Sequence, residues 1–191
     1  MRLFLSVKRS TCVTERRKTV QKKIVCIDMD GTLAEWEDYY ISIKEMTAPG
    51  FYERLIPIKN VVEAVKLLHK YDDIEVRILS TVLTPLSIEE KNRWLDKYLP
   101  EITADRRYFT RSYMNEVKTA IFDGHIPSDF TLLDDYTKNL RHWKEAGGIG
   151  ICLLNGDNAP SGKWTGNYVY YRSDPECLAF IIHAIATGKS L

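Results

Sequence analysis

The run Ile24-Val25-Cys26-Ile27-Asp28-Met29-Asp30-Gly31-Thr32 restricts the possible folds of this 191-residue chain more than any other segment. Its four apolar residues predict a β-strand covered on both faces, and the glycine and threonine after the two acids predict a turn. Alternation along a strand places Asp28 and Asp30 on the same side, so their carboxylates converge. Converging carboxylates need a cation, and oxygen ligands favour Mg²⁺ over zinc.

Two later strands end in polar residues as well. Taken alone, the first acid pair also fits a helix N-cap followed by a solvated turn. The run Val76–Thr81, however, predicts a strand that ends in two hydroxyls, and Thr131–Asp135 predicts one that ends in two acids. Open parallel sheets gather their ligands at the carboxyl ends of the strands. The sequence therefore predicts an active site at this edge of a sheet.

These ordered motifs resemble those of the haloacid dehalogenase-like superfamily of phosphotransferases and phosphatases. The segment Asp28–Thr32 looks like the first motif of that superfamily, and Ser80 looks like its hydroxyl motif. Lys118 is similar to its third-motif lysine, and Asp134-Asp135 to its terminal acid motif. The order and spacing of the motifs carry the resemblance, because a single serine or lysine would carry little.

The resemblance implies a reaction at these strand ends. Asp28 is the expected nucleophile, which would form an aspartyl-phosphate, and Asp30 is the expected general acid and base. Mg²⁺ is expected between Asp28, the main-chain carbonyl of Asp30, and Asp135. Asp134 would ligate the ion through water or orient its neighbour. The expected phosphate-binding residues here are Ser80, Thr81 and Lys118.

Lys118 has an alternative interpretation as a solvated helix residue. Its spacing to Asp134 is longer than in some relatives, so Arg111 is a second candidate for the cation of the phosphate site.

A closer resemblance is to the 5′(3′)-deoxyribonucleotidase family, over about residues 24 to 155. The segments that carry it are Pro49–Tyr52, Leu55–Ile58, Asn60–Val65 and Glu90–Tyr98. It implies that Lys91 helps to bind the substrate phosphate. The alternative is structural: Ser87 and Glu90 would form a capping box, with Lys91 on the first turns of the helix that it caps. Thr32 and Val82-Leu83 depart from the family pattern.

Aromatic residues are concentrated between the first two motifs, where the superfamily inserts its cap. Trp36, Tyr40 and Phe51 are the expected substrate-binding residues, because nucleobases stack on such rings. The alternative is that these rings form the core of a small cap. Neighbouring acids in the segment Glu35–Asp38 would repel a nucleic-acid backbone, which favours a mononucleotide.

The pattern of elements predicts an α/β fold, a Rossmann-like parallel sheet with helices on both faces and a small helical cap inserted after the first strand. Further strands are predicted at Ile149–Leu154 and, at a sheet edge, Tyr168–Tyr171. A final helix is predicted to start at Asp174-Pro175. We expect a basic, flexible tail at 1–23, then one phosphatase domain at 24–191 with the cap at about 34–58.

The basic tail is expected to be a solvated segment or sequence upstream of the true start, although a nucleic-acid-binding arm or an organelle-targeting segment would have similar charges. The formal charge of +1 gives no sign of a nucleic-acid footprint over the whole protein. The four scattered cysteines predict reduced thiols in a cytoplasmic protein. We expect no membrane or nucleic-acid partner, and a homodimer is one of the open oligomeric states.

The motifs and the superfamily resemblance together imply a Mg²⁺-dependent phosphomonoester hydrolase, and the closer resemblance implies a 5′-nucleotidase for (deoxy)nucleoside monophosphates. A phosphatase for a sugar phosphate or another small phosphoester is the first alternative. A catalytically silent binding module is the second, and the intact acids and hydroxyl speak against it.

Overall fold

The computed structural model describes residues 21–36, 41–156 and 164–190. The strands, and then the helices, are numbered in chain order. The strands are β1 Lys23–Ile27, β2 Ile74–Val82, β3 Arg107–Arg111, β4 Phe130–Asp134, β5 Ile149–Leu154 and β6 Asn167–Tyr170. The α-helices are α1 Ile43–Met46, α2 Lys59–Leu68, α3 Pro85–Tyr98, α4 Thr137–Glu145 and α5 Pro175–Thr187. Short 3₁₀ helices cover Tyr52–Arg54, Ala104–Arg106, Ser112–Met114 and Lys118–Phe122.

All six strands are parallel, in the order β3-β2-β1-β4-β5-β6. This order places β1 at the centre, with β2 on one side and β4 on the other. The polar ends of these three strands therefore lie side by side. The predicted Rossmann-like α/β fold is confirmed, and so is the position of the Tyr168 strand at a sheet edge.

Helices cover both faces of the sheet. The side chains of β1 therefore alternate between two hydrophobic cores, one on each face. Val25 and Ile27 join the core formed with α2, α3 and α5. Ile24 and Cys26 join the core formed with α4, in which Trp143 is fully buried. A strand that is buried on both faces is apolar throughout, which is why β1 could be predicted from its sequence.

The prediction of a Ser87-Glu90 capping box is wrong. Helix α3 begins at Pro85, and its N-cap is Thr84, whose side chain accepts a hydrogen bond from the Ser87 amide. Proline is favourable at the first helical position because an N–H at that position would make no hydrogen bond within the helix, so its absence costs nothing. The Glu90 carboxylate is therefore available for contacts outside the helix.

No helix among residues 21–36, 41–156 and 164–190 is long and apolar enough to cross a bilayer. Cys26, Cys152 and Cys177 are free thiols in this part of the chain.

Candidate active site

Lys118 links the ends of β1 and β4. Its Nζ lies 2.6 Å from Asp28 Oδ1 and 2.5 Å from Asp134 Oδ2, and all three side chains are buried. Burial lowers the pKa of Lys118, but Asp134 and Asp28 raise it, and the net shift is upward. The buried ammonium is therefore charged. An ammonium has three donors, and two of them are used here, which leaves one for a ligand.

The terminal acids have different surroundings. Both oxygens of Asp134 are occupied, because Oδ1 accepts from the Tyr136 amide and Oδ2 from Lys118 and Asn139. The Asp135 carboxylate contacts the Thr32 hydroxyl at 3.4 Å and the Asn155 side chain at 3.2 Å. Because both of its oxygens are held in this way, Asp134 is suited to orienting the groups around it.

Gly31 is required where the first turn meets Asp135. Its φ is 76°, a left-handed conformation, and a Cβ at this position would collide with the Asp135 carboxylate. The turn after β1 can thus approach the terminal acids only with glycine at position 31.

Lys91 is fully buried and uses all three donors. Its Nζ donates to Asp30 Oδ2 at 2.6 Å, and to Ser80 Oγ and the Thr81 carbonyl, both at 2.8 Å. Burial raises the pKa of Asp30, while Lys91 acts to lower it. In this arrangement Lys91 uses its three donors to hold Asp30 and the end of β2 together, and its predicted phosphate-binding role stays a prediction.

The other predicted phosphate ligands differ in accessibility. Ser80 is fully buried beneath the site, whereas Thr81 lines the open cleft. Arg111 is exposed and lies 4.0 Å from Glu116. Of the two candidate cations, only Lys118 contacts the Asp28 carboxylate among the described residues.

Three carboxylates fit the requirements of a divalent cation. Asp28, Asp134 and Asp135 each offer one oxygen, and these oxygens lie within 4.8 Å of one another. Burial raises the pKa of Asp135 well above its usual value, and the charges of Asp134 and Asp28 raise it further. Hard oxygen ligands with excess negative charge suit Mg²⁺, so the donor set fits the expected ion.

Asp28, one of these three carboxylates, lines a cleft of about 300 Å³. The residues that line it are Asp28, Asp30, Thr81, Glu116, Val117, Lys118, Tyr136, Lys138, Asn139 and His142. A cleft of this size is at the lower end of the range for small-molecule sites.

The described part of the cap is fastened to α3. Glu90, which is buried, accepts from the amides of Gly50 at 2.5 Å and Tyr52 at 3.0 Å. Trp94 Nε1 donates to the Leu55 carbonyl at 2.8 Å. The helix that supplies Lys91 therefore also positions this part of the cap.

The cap aromatics pack on one another. The Trp36 ring stacks on Tyr52 at 6.1 Å and meets Phe51 edge-on at 5.7 Å. Lys91 Nζ lies 4.7 Å from the centre of the Tyr52 ring. Phe51 is only 6% exposed. The predicted base-binding role of Trp36 and Phe51 stays a prediction, and Tyr40 lies outside the described residues.

Glu90, Asn139 and Asn155 are site-supporting residues that the sequence prediction missed. Asn155 directly follows β5, so the strand-end rule that identified the other residues would also have identified it. Glu90 and Asn139 lie on helices, and no local sequence pattern indicates that Glu90 binds the cap amides or that Asn139 donates to Asp134.

The chain is similar in sequence to proteins of a known family. The family model described as "5′ nucleotidase, deoxy (Pyrimidine), cytosolic type C protein" matches residues 36–163, more than half of the chain. The chain belongs to this family. A protein of Vibrio phage KVP40 named "Putative 5′(3′)-deoxyribonucleotidase" is 28% identical over 149 residues, covering 73% of this chain and 81% of that protein.

Solved structures share the fold. The D,D-heptose 1,7-bisphosphate phosphatase of B. bronchiseptica, complexed with magnesium and phosphate, is similar with a TM-score of 0.57 at 12% identity. The match covers 84% of this chain and 98% of that one. A haloacid dehalogenase-like hydrolase from Xanthomonas campestris gives a TM-score of 0.56 at 15% identity, covering 88% and 97%. The chain is thus a phosphatase of the 5′-nucleotidase family with a haloacid dehalogenase-like fold.

Proposed function

We propose that this nucleotidase-family enzyme hydrolyses (deoxy)nucleoside 5′-monophosphates through an aspartyl-phosphate on Asp28, with Mg²⁺ as cofactor. The observation that carries the proposal is the Lys118 ammonium between Asp28 and Asp134 at the floor of the cleft. It combines a carboxylate nucleophile, a cation for phosphoryl oxygens and an acid cluster in one small volume. In this proposal residues 24–191 form the catalytic domain, with the cap at about 34–58.

Each residue has a role that its contacts support. Asp28 attacks phosphorus, and the remaining donor of Lys118 holds a phosphoryl oxygen. Asp30, fixed by Lys91, gives a proton to the leaving alkoxide and later takes one from the attacking water. Thr81 donates to the phosphate from the cleft wall, and Ser80 supports Lys91 from below.

Asp28, the main-chain carbonyl of Asp30 and Asp135 would hold Mg²⁺, while Asp134 orients the cluster through its hydrogen bonds. When bound, the ion offsets the repulsion between the carboxylates and the phosphate.

Removal of metal should abolish activity. Because Asp28, Asp134 and Asp135 bring three carboxylates against one ammonium, an anionic phosphate is repelled unless a cation is present. We expect exhaustive EDTA treatment to remove phosphatase activity and Mg²⁺ to restore it. Full activity in the chelated protein would contradict the metal role, and rescue by zinc alone would indicate a different site.

A substrate screen tests the substrate class. We expect higher kcat/KM for deoxynucleoside 5′-monophosphates than for sugar phosphates, because binding energy from the base can be used at the reacting phosphate. The matched comparison is 2-deoxyribose 5-phosphate, which carries a hydroxyl in place of the base. A preference for sugar phosphates would favour the small-phosphoester alternative and leave the catalytic assignments intact. No activity on any phosphoester in the presence of Mg²⁺ would favour the silent binding module.

A further inference from the structure

The wall of the cleft formed by the start of α4 carries an exposed aromatic ring. Tyr136 directly follows the acid pair, is 57% exposed and lines the cleft together with Asp28 and Lys118. Its amide donates to Asp134 Oδ1 at 2.8 Å, so its backbone is fixed relative to the acid cluster. No described residue makes a ring contact or a side-chain hydrogen bond with Tyr136.

Two of the cap rings offer less free surface than Tyr136. Phe51 and Tyr52 are 6% and 2% exposed, and Lys91 lies over the Tyr52 ring. The Phe51 ring is also covered by the Arg54 guanidinium at 5.6 Å. A base that stacked on either ring would first have to displace these neighbours, whereas the Tyr136 ring is accessible without rearrangement.

The residues around Tyr136 suit a planar ligand with a polar edge. Val117, next to Lys118, is 47% exposed and also lines the cleft. Lys138 and His142 lie one turn apart on α4 and line the same cleft, with nitrogen atoms that can donate hydrogen bonds. The wall thus combines apolar surface with donors beside the phosphate position.

We infer that Tyr136 determines substrate specificity by stacking on the base of the leaving nucleoside. This inference rests on the proposed function, because it requires a nucleotide substrate. With phosphorus beside the Asp28 carboxylate and a phosphoryl oxygen on the remaining donor of Lys118, the leaving group extends toward the open side of the cleft, where Tyr136 and Val117 are. Lys138 and His142 then contact polar atoms of the base or sugar.

The test compares two substrates and three variants. For Tyr136→Ala we expect kcat/KM to fall about 10- to 100-fold with deoxynucleoside 5′-monophosphates, and far less with 2-deoxyribose 5-phosphate. Tyr136→Phe should retain the preference for nucleotides, because stacking needs the ring and not the hydroxyl. Tyr170→Ala, which changes an exposed tyrosine on the edge strand β6, is the matched control and should resemble the wild type.

Each other outcome is decisive. If Tyr136→Ala lowered kcat/KM equally for both substrates, or for neither of them, the stacking role would be wrong. If Tyr136→Phe lost as much kcat/KM with nucleotides as Tyr136→Ala does, the effect would belong to the hydroxyl, which would also overturn the inference. If the wild type itself did not prefer nucleotides to 2-deoxyribose 5-phosphate, the proposed function would fail and this inference with it.

Discussion

Asp28→Asn is expected to abolish turnover while leaving the fold intact. The amide keeps the shape of the side chain but cannot attack phosphorus, so kcat should fall on the order of 10⁴-fold or more. Lys118 keeps its contact with Asp134 in this variant. We therefore expect the unfolding temperature to stay within about 4 °C of that of the wild type. Steady-state kinetics and thermal unfolding, both with Mg²⁺, would measure the two effects.

Asp129→Asn is the matched control for this change. Asp129 directly precedes β4, at the amino-terminal ends of the strands and therefore away from the active site, and it lies 3.9 Å from Lys23. Its activity should equal that of the wild type. Near-normal turnover by Asp28→Asn would exclude Asp28 as the nucleophile.

Lys118→Met should cost both stability and activity. The change leaves Asp28 and Asp134 buried without the ammonium that contacts both of them. Loss of one partner of a buried ion pair costs about 3 to 5 kcal/mol, which corresponds to a drop of about 6 to 20 °C in Tm without metal. Loss of a cation for the phosphoryl oxygens should lower kcat/KM at least about 100-fold.

Arg111→Met is the control for Lys118→Met, because Arg111 is the alternative cation. Its exposed pair with Glu116 should contribute about 1 kcal/mol or less. If Arg111→Met were the more damaging of the two changes, the assignment of the phosphate-site cation would be reversed.

Strand ends were predictable from sequence because their signals are local. β1, β4 and β5 are short apolar runs followed by polar residues, and parallel pairing brings their ends together without further information. β3 gave no such signal. Its sequence Arg107-Tyr108-Phe109-Thr110-Arg111 has an arginine at each end and lies at a sheet edge, where no continuous apolar run is needed.

Long-range polar contacts were not predictable from local pattern. The spacing of Ser87 and Glu90 matches a capping box, but Thr84-Pro85 forms the helix start and Glu90 instead holds two amides of the cap. Similarly, nothing near Lys91 in the sequence indicates that its three donors meet Asp30, Ser80 and the Thr81 carbonyl. Which acceptors a buried lysine meets depends on tertiary packing.

The covalent intermediate is the most direct test of the mechanism. A deoxynucleoside 5′-[³²P]monophosphate would be mixed with the enzyme and Mg²⁺, and the reaction would be quenched in acid within milliseconds. Acid is the quench because an acyl-phosphate survives it. Cleavage by hydroxylamine then identifies the label as an acyl-phosphate. The aspartyl-phosphate mechanism predicts a hydroxylamine-labile label on the peptide that contains Asp28, and none in Asp28→Asn. An enzyme that releases phosphate while no label forms on Asp28, or forms on another residue, would contradict it.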